Sequence, residues 1–165
     1  IVTNCSNNYG PYQYNEKLIP KIIQNAIYKN IIPIYGNGLN IRDWLYVEDH
    51  CRALIEVLLK GKFGETYNIG GLNEITNIEI ANKICDIIEA IYPFNKNTNS
   101  DDNKNYMEYK SLISFVQDRP GHDFRYSINQ TKIKEELDWE PIETFNSGLK
   151  KTVQWYLEKF LSNDK

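Results

Sequence analysis

The sequence predicts an α/β fold. Short β-branched and aromatic runs alternate along the chain with longer stretches of helical apolar period. The 165 residues are enough for one domain with its own core. Hydrophobic residues at 41% and charged residues at 25% are ordinary for a soluble globular protein. No internal repeat interrupts the alternation.

The elements follow in order. Ile1 to Cys5 reads as a strand, and Ser6 to Pro11 as a loop by its turn residues. Asn15 is a candidate N-cap for a helix from Glu16 to Lys29, with Pro20 near its start and Ile23, Ala26 and Ile27 facing the core. Ile31 to Tyr35 is a strand ended by Gly36-Asn37-Gly38, and Trp44 to Val47 is another. A helix from Glu48 to Lys60 would bury Leu54, Val57 and Leu58, with Gly61 past its end. Glu65 to Ile69 is a strand closed by Gly70-Gly71.

Thr76 and Glu79 form a capping-box pattern for a helix with the stripe Ile80, Ile84, Ile87, Ile88 and Ile91, stopped by Pro93. Phe94 to Asn105 is rich in Asn, Ser, Asp and Lys and reads as a surface loop. Leu112 to Val116 is a strand, Asp118 to Arg125 a charged loop, and Tyr126 to Ile128 a short strand. Helices close the chain at Thr131 to Leu137 and Phe145 to Leu161. In the last, Leu149, Val153, Tyr156 and Phe160 share one face. The chain begins with Ile1, and its first strand has no partner ahead of it. Both observations fit the edge of a sheet whose main body lies upstream.

Composition excludes several classes. A net charge of -3 and a pI near 5.5 argue against nucleic acid as a partner. One anionic nucleotide needs only a few arginines. Cys5, Cys51 and Cys85 are odd in number and form no C-x-x-C, which points to a reducing compartment rather than a disulfide or zinc framework. No apolar run is long enough to span a membrane, and no basic leader precedes the first strand.

Polar residues gather in loops beside strand ends, where ligands bind in α/β sheets: Asn7, Lys17, Tyr35, Arg42, Asn77, Arg119 and His122. Arg42 and Arg119 matter most, because a guanidinium is a planar fork of donors that fits phosphate oxygens. The bland alternative is a surface ion pair, Arg42 with Asp43 or Arg119 with Asp118, since most arginines are simply solvated. His122 alone is more often a hydrogen-bonding loop residue than a catalyst, and no spacing suggests a metal site.

Three patterns carry less. Tyr106 and Lys110 satisfy Y-x-x-x-K, a spacing that can pair a tyrosine base with a lysine on a helix, but no strong helix surrounds them. Gly36-Asn37-Gly38 lacks the third glycine and the following helix of a dinucleotide fingerprint. Cys51 beside His50 on a helix does not face it, so a buried thiol is the expected role.

Taken together, several segments resemble a known family. They are Asn4-Cys5-Ser6-Asn7-Asn8-Tyr9-Gly10-Pro11-Tyr12, Glu16-Lys17-Leu18-Ile19-Pro20, Pro33-Ile34-Tyr35-Gly36, Arg42 through His50, Tyr67 through Gly71, Asp118 through Asp123, and Gly148 through Leu157. In this order they resemble the dTDP-glucose 4,6-dehydratases, a branch of the extended short-chain dehydrogenases. The Tyr-Gly-Pro loop is shared with UDP-sugar epimerases and decarboxylases. The Arg42–His50 run joined to the Asp118–Asp123 run is more specific to the dehydratase branch.

The resemblance implies a fold: the C-terminal, substrate-binding part of such an enzyme, with the last strands of a Rossmann-type sheet. Residues 1–165 would form the nucleotide-sugar-binding domain, and the N-terminal NAD-binding Rossmann domain would be absent. The implied reaction converts dTDP-glucose to the 4-keto-6-deoxy sugar and water, with NAD taking and returning a hydride, in deoxysugar biosynthesis of the rhamnose type. Carried over by match, Asn7 lies near the nicotinamide and the sugar. Lys17, Leu18, Pro33 and Tyr35 line the nucleotide pocket, and Arg42, Asn77, Arg119 and His122 hold the diphosphate and nucleotide. The start of a helix at Asn77 would offer free N–H groups to the anion.

The family's glycine fingerprint, acidic pair and Tyr/Lys pair lie upstream of its Asn-Cys-Ser segment, so no catalytic residue is expected in this chain. Asn15 stands where the family usually has proline. A cytoplasmic homodimer is implied for the whole enzyme. A UDP- or CDP-sugar dehydratase or epimerase, or a non-catalytic nucleotide-sugar-binding fragment, is the alternative.

Overall fold

The computed structural model describes residues 1–94 and 108–162. Its pivot is β4, Ile41–Tyr46, in which every residue after the first is buried. Such a run suits a strand covered on both faces. β2, Asn7–Tyr9, pairs parallel with the end of β4 (Asn7↔Trp44, Tyr9↔Tyr46). β8, Arg125–Tyr126, pairs parallel with its start, and β6, Glu74–Thr76, lies antiparallel on its other edge. Two further parallel pairs complete the sheets: β1, Val2–Cys5, with β5, Thr66–Ile69, and β3, Ile32–Tyr35, with β7, Ile113–Val116.

β2 lies inside the expected loop. Its three residues are polar at two positions, so only pairing with β4 makes them a strand. β6 carries no alternation long enough to read, and it too exists through β4.

Among the described residues, five α-helices cover these strands. α1 spans Leu18–Ile27, shorter at both ends than expected, and Lys17 rather than Asn15 holds the cap position without a side-chain bond. Pro20 falls in the first turn, where its missing N–H has no partner to lose. α3, Asn77–Ile91, begins with the expected capping box. The Thr76 N–H donates to Glu79 Oε2 at 3.0 Å and the Glu79 N–H to Thr76 Oγ1 at 3.3 Å. Of its isoleucine stripe, Ile80, Ile84 and Ile88 are buried, while Ile91 is exposed at the frayed end.

α5, Phe145–Ser162, buries Leu149, Val153, Tyr156 and Phe160. α1, α3 and α5 enclose the larger core with β3 and with Tyr9 and Trp44. Gly148 lets α5 approach: a Cβ there would meet Tyr9 Oη at 2.4 Å.

A smaller core joins β5 to α2, Val47–Lys60, and α4, Thr131–Leu137, through Ala53, Val57, Tyr67, Ile69, Ile133 and Trp139. Here the expected inward face of α2 is corrected. The row Asp49, Ala53 and Val57 points inward, while Leu54 is 39% and Leu58 80% exposed. The inner neighbours are small because α4 and β5 press closely there, which turns the leucine row outward. Leu59, Ile55, Val2 and Phe63 are exposed with it. Cys51, expected buried, is exposed on α2, whereas Cys85 is buried.

The asparagine-rich run beyond Phe94 and the residue Tyr106 lie outside the described residues. Lys110, in the 3₁₀ turn Tyr109–Leu112, instead pairs with Asp86 at 2.5 Å.

Candidate functional site

A cleft of about 480 Å³ opens beside the start of β2 and the first residues of β4, bounded by the start of α1, the end of β3, the start of α3 and the loop after β7. It brings together all nine residues singled out from the sequence: Asn7, Lys17, Leu18, Pro33, Tyr35, Arg42, Asn77, Arg119 and His122. Strand register explains the first contact. Asn7 and Trp44 are opposite each other in a parallel pair, so both side chains leave the sheet on one face.

The turn after β3 brings the far wall close. Gly36 adopts φ +59° and Gly38 φ +73°, values that favour glycine. A Cβ on Gly36 would lie 2.9 Å from Asp118 Oδ2, so this turn packs directly on the loop that carries Arg119 and His122.

Neither arginine forms the bland ion pair. Arg42 is buried, and it donates from Nη1 to the Ile41 carbonyl at 2.7 Å and from Nη2 to the Asp123 carbonyl at 2.8 Å. Asp43 is turned away, accepting from the Gly71 and Asn73 N–H groups at 2.9 and 2.8 Å. Asp118 serves its own loop. Its Oδ1 accepts the Arg119 N–H at 2.9 Å and lies 2.7 Å from His122 Nδ1. The bond to His122 holds the Asp118 carboxyl below its ordinary range, helped by the Arg119 N–H. Among the described residues, Lys17, Lys21, Arg42 and Arg119 have no carboxylate partner, although all four line the cleft. Unpaired cations on one concave surface attract an anion.

One expectation about the cleft is corrected. The first N–H groups of α3 are not free for a phosphate. The Asn77 N–H donates to Asn40 O at 3.1 Å, the Ile78 N–H to Gly38 O at 3.0 Å, and the Glu79 N–H to Thr76. The tight turn after β3 has taken them. Asn77 therefore has its side-chain amide, not the helix terminus, to offer a ligand.

Gln13, Glu16, Lys21, Ile22 and Trp44 line the cleft but were not among the residues singled out. Lys21 was findable, since it lies four residues beyond Lys17 on a predicted helix and so on the same face. Gln13 depends on tertiary contacts. Tyr156 Oη donates to its carbonyl at 2.5 Å, and its Nε2 donates to Asn8 O at 2.8 Å. No cluster of His, Cys, Asp and Glu among the described residues could hold a metal ion. No helix among them is long and apolar enough to cross a membrane.

Comparison with known proteins gives the class of this α/β unit. The family described as GDP-mannose 4,6 dehydratase matches residues 1–152, and the chain belongs to that family. It is 55% identical over 158 residues to a dTDP-glucose 4,6-dehydratase of Neisseria meningitidis, covering 96% of this chain and 42% of that protein. To dTDP-glucose 4,6-dehydratase 1 of Escherichia coli K12 it is 54% identical over 167 residues, covering 100% and 43%.

Solved structures agree. The Bacillus anthracis dTDP-glucose 4,6-dehydratase in complex with NAD aligns with TM-score 0.80 at 49% identity, over 95% of this chain and 44% of that one. The Thermotoga maritima UDP-glucose 4-epimerase aligns with TM-score 0.76 at 24% identity, over 96% and 46%, a likeness of fold alone. The chain thus spans under half the length of the relatives it matches. The parts of the fold they share are the mixed sheets and helices of an extended short-chain dehydrogenase.

Proposed function

We propose that this chain is the nucleotide-sugar-binding portion of an NAD-dependent dTDP-glucose 4,6-dehydratase. One observation carries the reading: four cations without carboxylate partners meet Asn7, Asn77 and His122 in a single cleft. The identity of 54–55% to proteins named as that dehydratase supports the same substrate class.

Within the cleft, Arg42, Asn77, Arg119 and His122 hold the diphosphate, while Lys17, Leu18, Pro33 and Tyr35 take the nucleoside. Asn7, the first residue of β2, orients the sugar. It is also this chain's contact to NAD, whose nicotinamide supplies the hydride acceptor when bound. Asn7 shares the cleft face of the sheet with Trp44, and its side-chain amide can both donate to and accept from the carboxamide of such a ring. NAD is otherwise held by a partnering Rossmann part, which would lie against the exposed row Leu54, Leu58 and Leu59 and the edge of β1 that has no strand partner among the described residues. A two-stranded parallel sheet with unpaired outer edges is the kind of surface that a larger sheet extends. A cytoplasmic homodimer is the state proposed for the whole enzyme.

Calorimetric titration with dTDP tests the reading. The chain binds it, and Arg119→Ala weakens binding by roughly 1.5–3 kcal/mol, the scale of a charged hydrogen bond. No heat of binding from the unaltered chain overturns the proposal.

A further inference from the structure

His122 lines the cleft with a side chain that is only 5% exposed. Its Nδ1 lies 2.7 Å from Asp118 Oδ1, which also accepts the Arg119 N–H at 2.9 Å. These bonds hold the Asp118 carboxyl below its ordinary range, the His122 bond foremost. At neutral pH the carboxylate is therefore ionised and can only accept, so Nδ1 must carry the hydrogen. In a neutral imidazole that leaves Nε2 bare, an acceptor. Nε2 has no hydrogen-bond partner among the described residues and is not sealed away from the cleft. A bare nitrogen facing a phosphate oxygen sets one lone pair against another. A protonated Nε2 donates to that oxygen while Nδ1–H stays on Asp118.

Charge points the same way. To the cleft that His122 lines, α1 contributes Glu16, Lys17 and Lys21, β3 contributes Tyr35, β4 Arg42, and the loop itself Arg119. The cations disfavour a charge on the ring, whereas Asp118 and Glu16 favour one. A diphosphate offsets the cations and adds negative charge of its own, so its arrival tips the balance toward the imidazolium. Among these groups imidazole alone ordinarily changes charge between pH 6 and 8. We propose that Asp118 is a positioning residue that fixes the His122 tautomer, and that a diphosphate ligand binds together with a proton taken from solvent onto Nε2. This rests on the nucleotide reading of the cleft. It adds the protonation state of the ring and gives a role to Asp118, which is not among the residues that line the cleft.

Calorimetric titration with dTDP-glucose tests this, because its diphosphate has no proton that titrates near neutral pH. At pH 7.5, about one unit above the ordinary imidazole value, the heat is measured in buffers of low and high ionisation enthalpy. The slope gives the protons taken up. The unaltered chain should take up about half a proton or more per ligand. A site whose bound form holds the proton more tightly loses affinity as pH rises, so binding should weaken several-fold from pH 6.5 to 8.5. His122→Gln keeps a donor but cannot titrate, and should bind more weakly with no uptake and a level pH profile. Asp118→Asn keeps an acceptor for Nδ1–H but not the charge, and should lower the proton number. A purely structural role for Asp118 would leave that number as it was. Circular dichroism of each variant confirms that the fold is kept. If dTDP-glucose binds but the unaltered chain takes up no proton, or either variant takes up as many as the unaltered chain, this inference is overturned and the nucleotide reading stands. If the unaltered chain does not bind, both fall.

Discussion

His122 and Asp118 are joined through Nδ1 and Oδ1 at 2.7 Å, and the same carboxylate oxygen caps the Arg119 N–H at 2.9 Å. One carboxylate thus fixes both cleft residues of the loop after β7. Asp118→Ala should release them together and raise the dissociation constant for dTDP several-fold with little loss of helix content. Calorimetry beside circular dichroism checks this, and an unchanged affinity would show that the loop is ordered by other contacts.

The same pair sets a pH dependence. The Asp118 carboxyl is held below its ordinary value of 3.8, chiefly by His122. A group with a lowered folded value contributes stability above its ordinary value and loses it as pH falls through the lowered one. The loop should therefore stay ordered at pH 5 and loosen only well into acid. Carbon-detected NMR of the Asp118 carboxyl should give a midpoint under 3.8. A midpoint at or above that value contradicts the bond.

Arg42→Lys should be costly despite keeping the charge. The guanidinium spans two carbonyls, those of Ile41 and Asp123, and an ammonium cannot reproduce the fork. The expected loss of nucleotide affinity is about 1–2 kcal/mol, and Arg42→Ala should lose more. Equal affinity for the Lys variant would mean that only charge is needed there.

Gly148→Ala separates packing from propensity. In a helix interior alanine is favoured over glycine by about 1 kcal/mol. Here the new methyl would meet Tyr9 Oη at 2.4 Å and the Tyr46 ring at 3.1 Å. Overpacking of this kind costs about 1–3 kcal/mol, so the melting temperature should fall. A rise would show that α5 can shift outward.

Thr76→Ala should lower stability by about 1 kcal/mol, the usual cost of losing an N-cap side chain. The Thr76 hydrogen bond also holds the Glu79 carboxyl below its ordinary range. The variant should move the Glu79 midpoint upward, a change that a purely steric effect would not produce.

Helices were legible in the sequence where a long apolar period met a cap, as at Thr76 to Glu79 and along Leu149, Val153, Tyr156 and Phe160. Two short strands were not. Asn7–Tyr9 and Glu74–Thr76 become strands only because β4 lies between them, a relation invisible to local pattern. The face of α2 was misread for a related reason. Leu54 and Leu58 outrank Ala53 by hydrophobicity, but only the small side chain fits under α4 and β5. In the cleft, Arg42 and Arg119 stood out by residue type and family motif. Gln13 and Trp44 did not, because a glutamine and a buried tryptophan carry no positional signal until the chain has folded.

Arg42 has a second consequence. Its Nη2 ties β4 to the carbonyl of Asp123, inside the loop that carries Arg119 and His122. The side chain that lines the cleft is also a rivet in its wall. An anion that binds Arg42 in the tied arrangement better than in a loosened one would link occupancy to loop order. Backbone amides from Arg119 to Phe124 should therefore exchange with solvent more slowly as nucleotide is added, including those that no ligand atom touches.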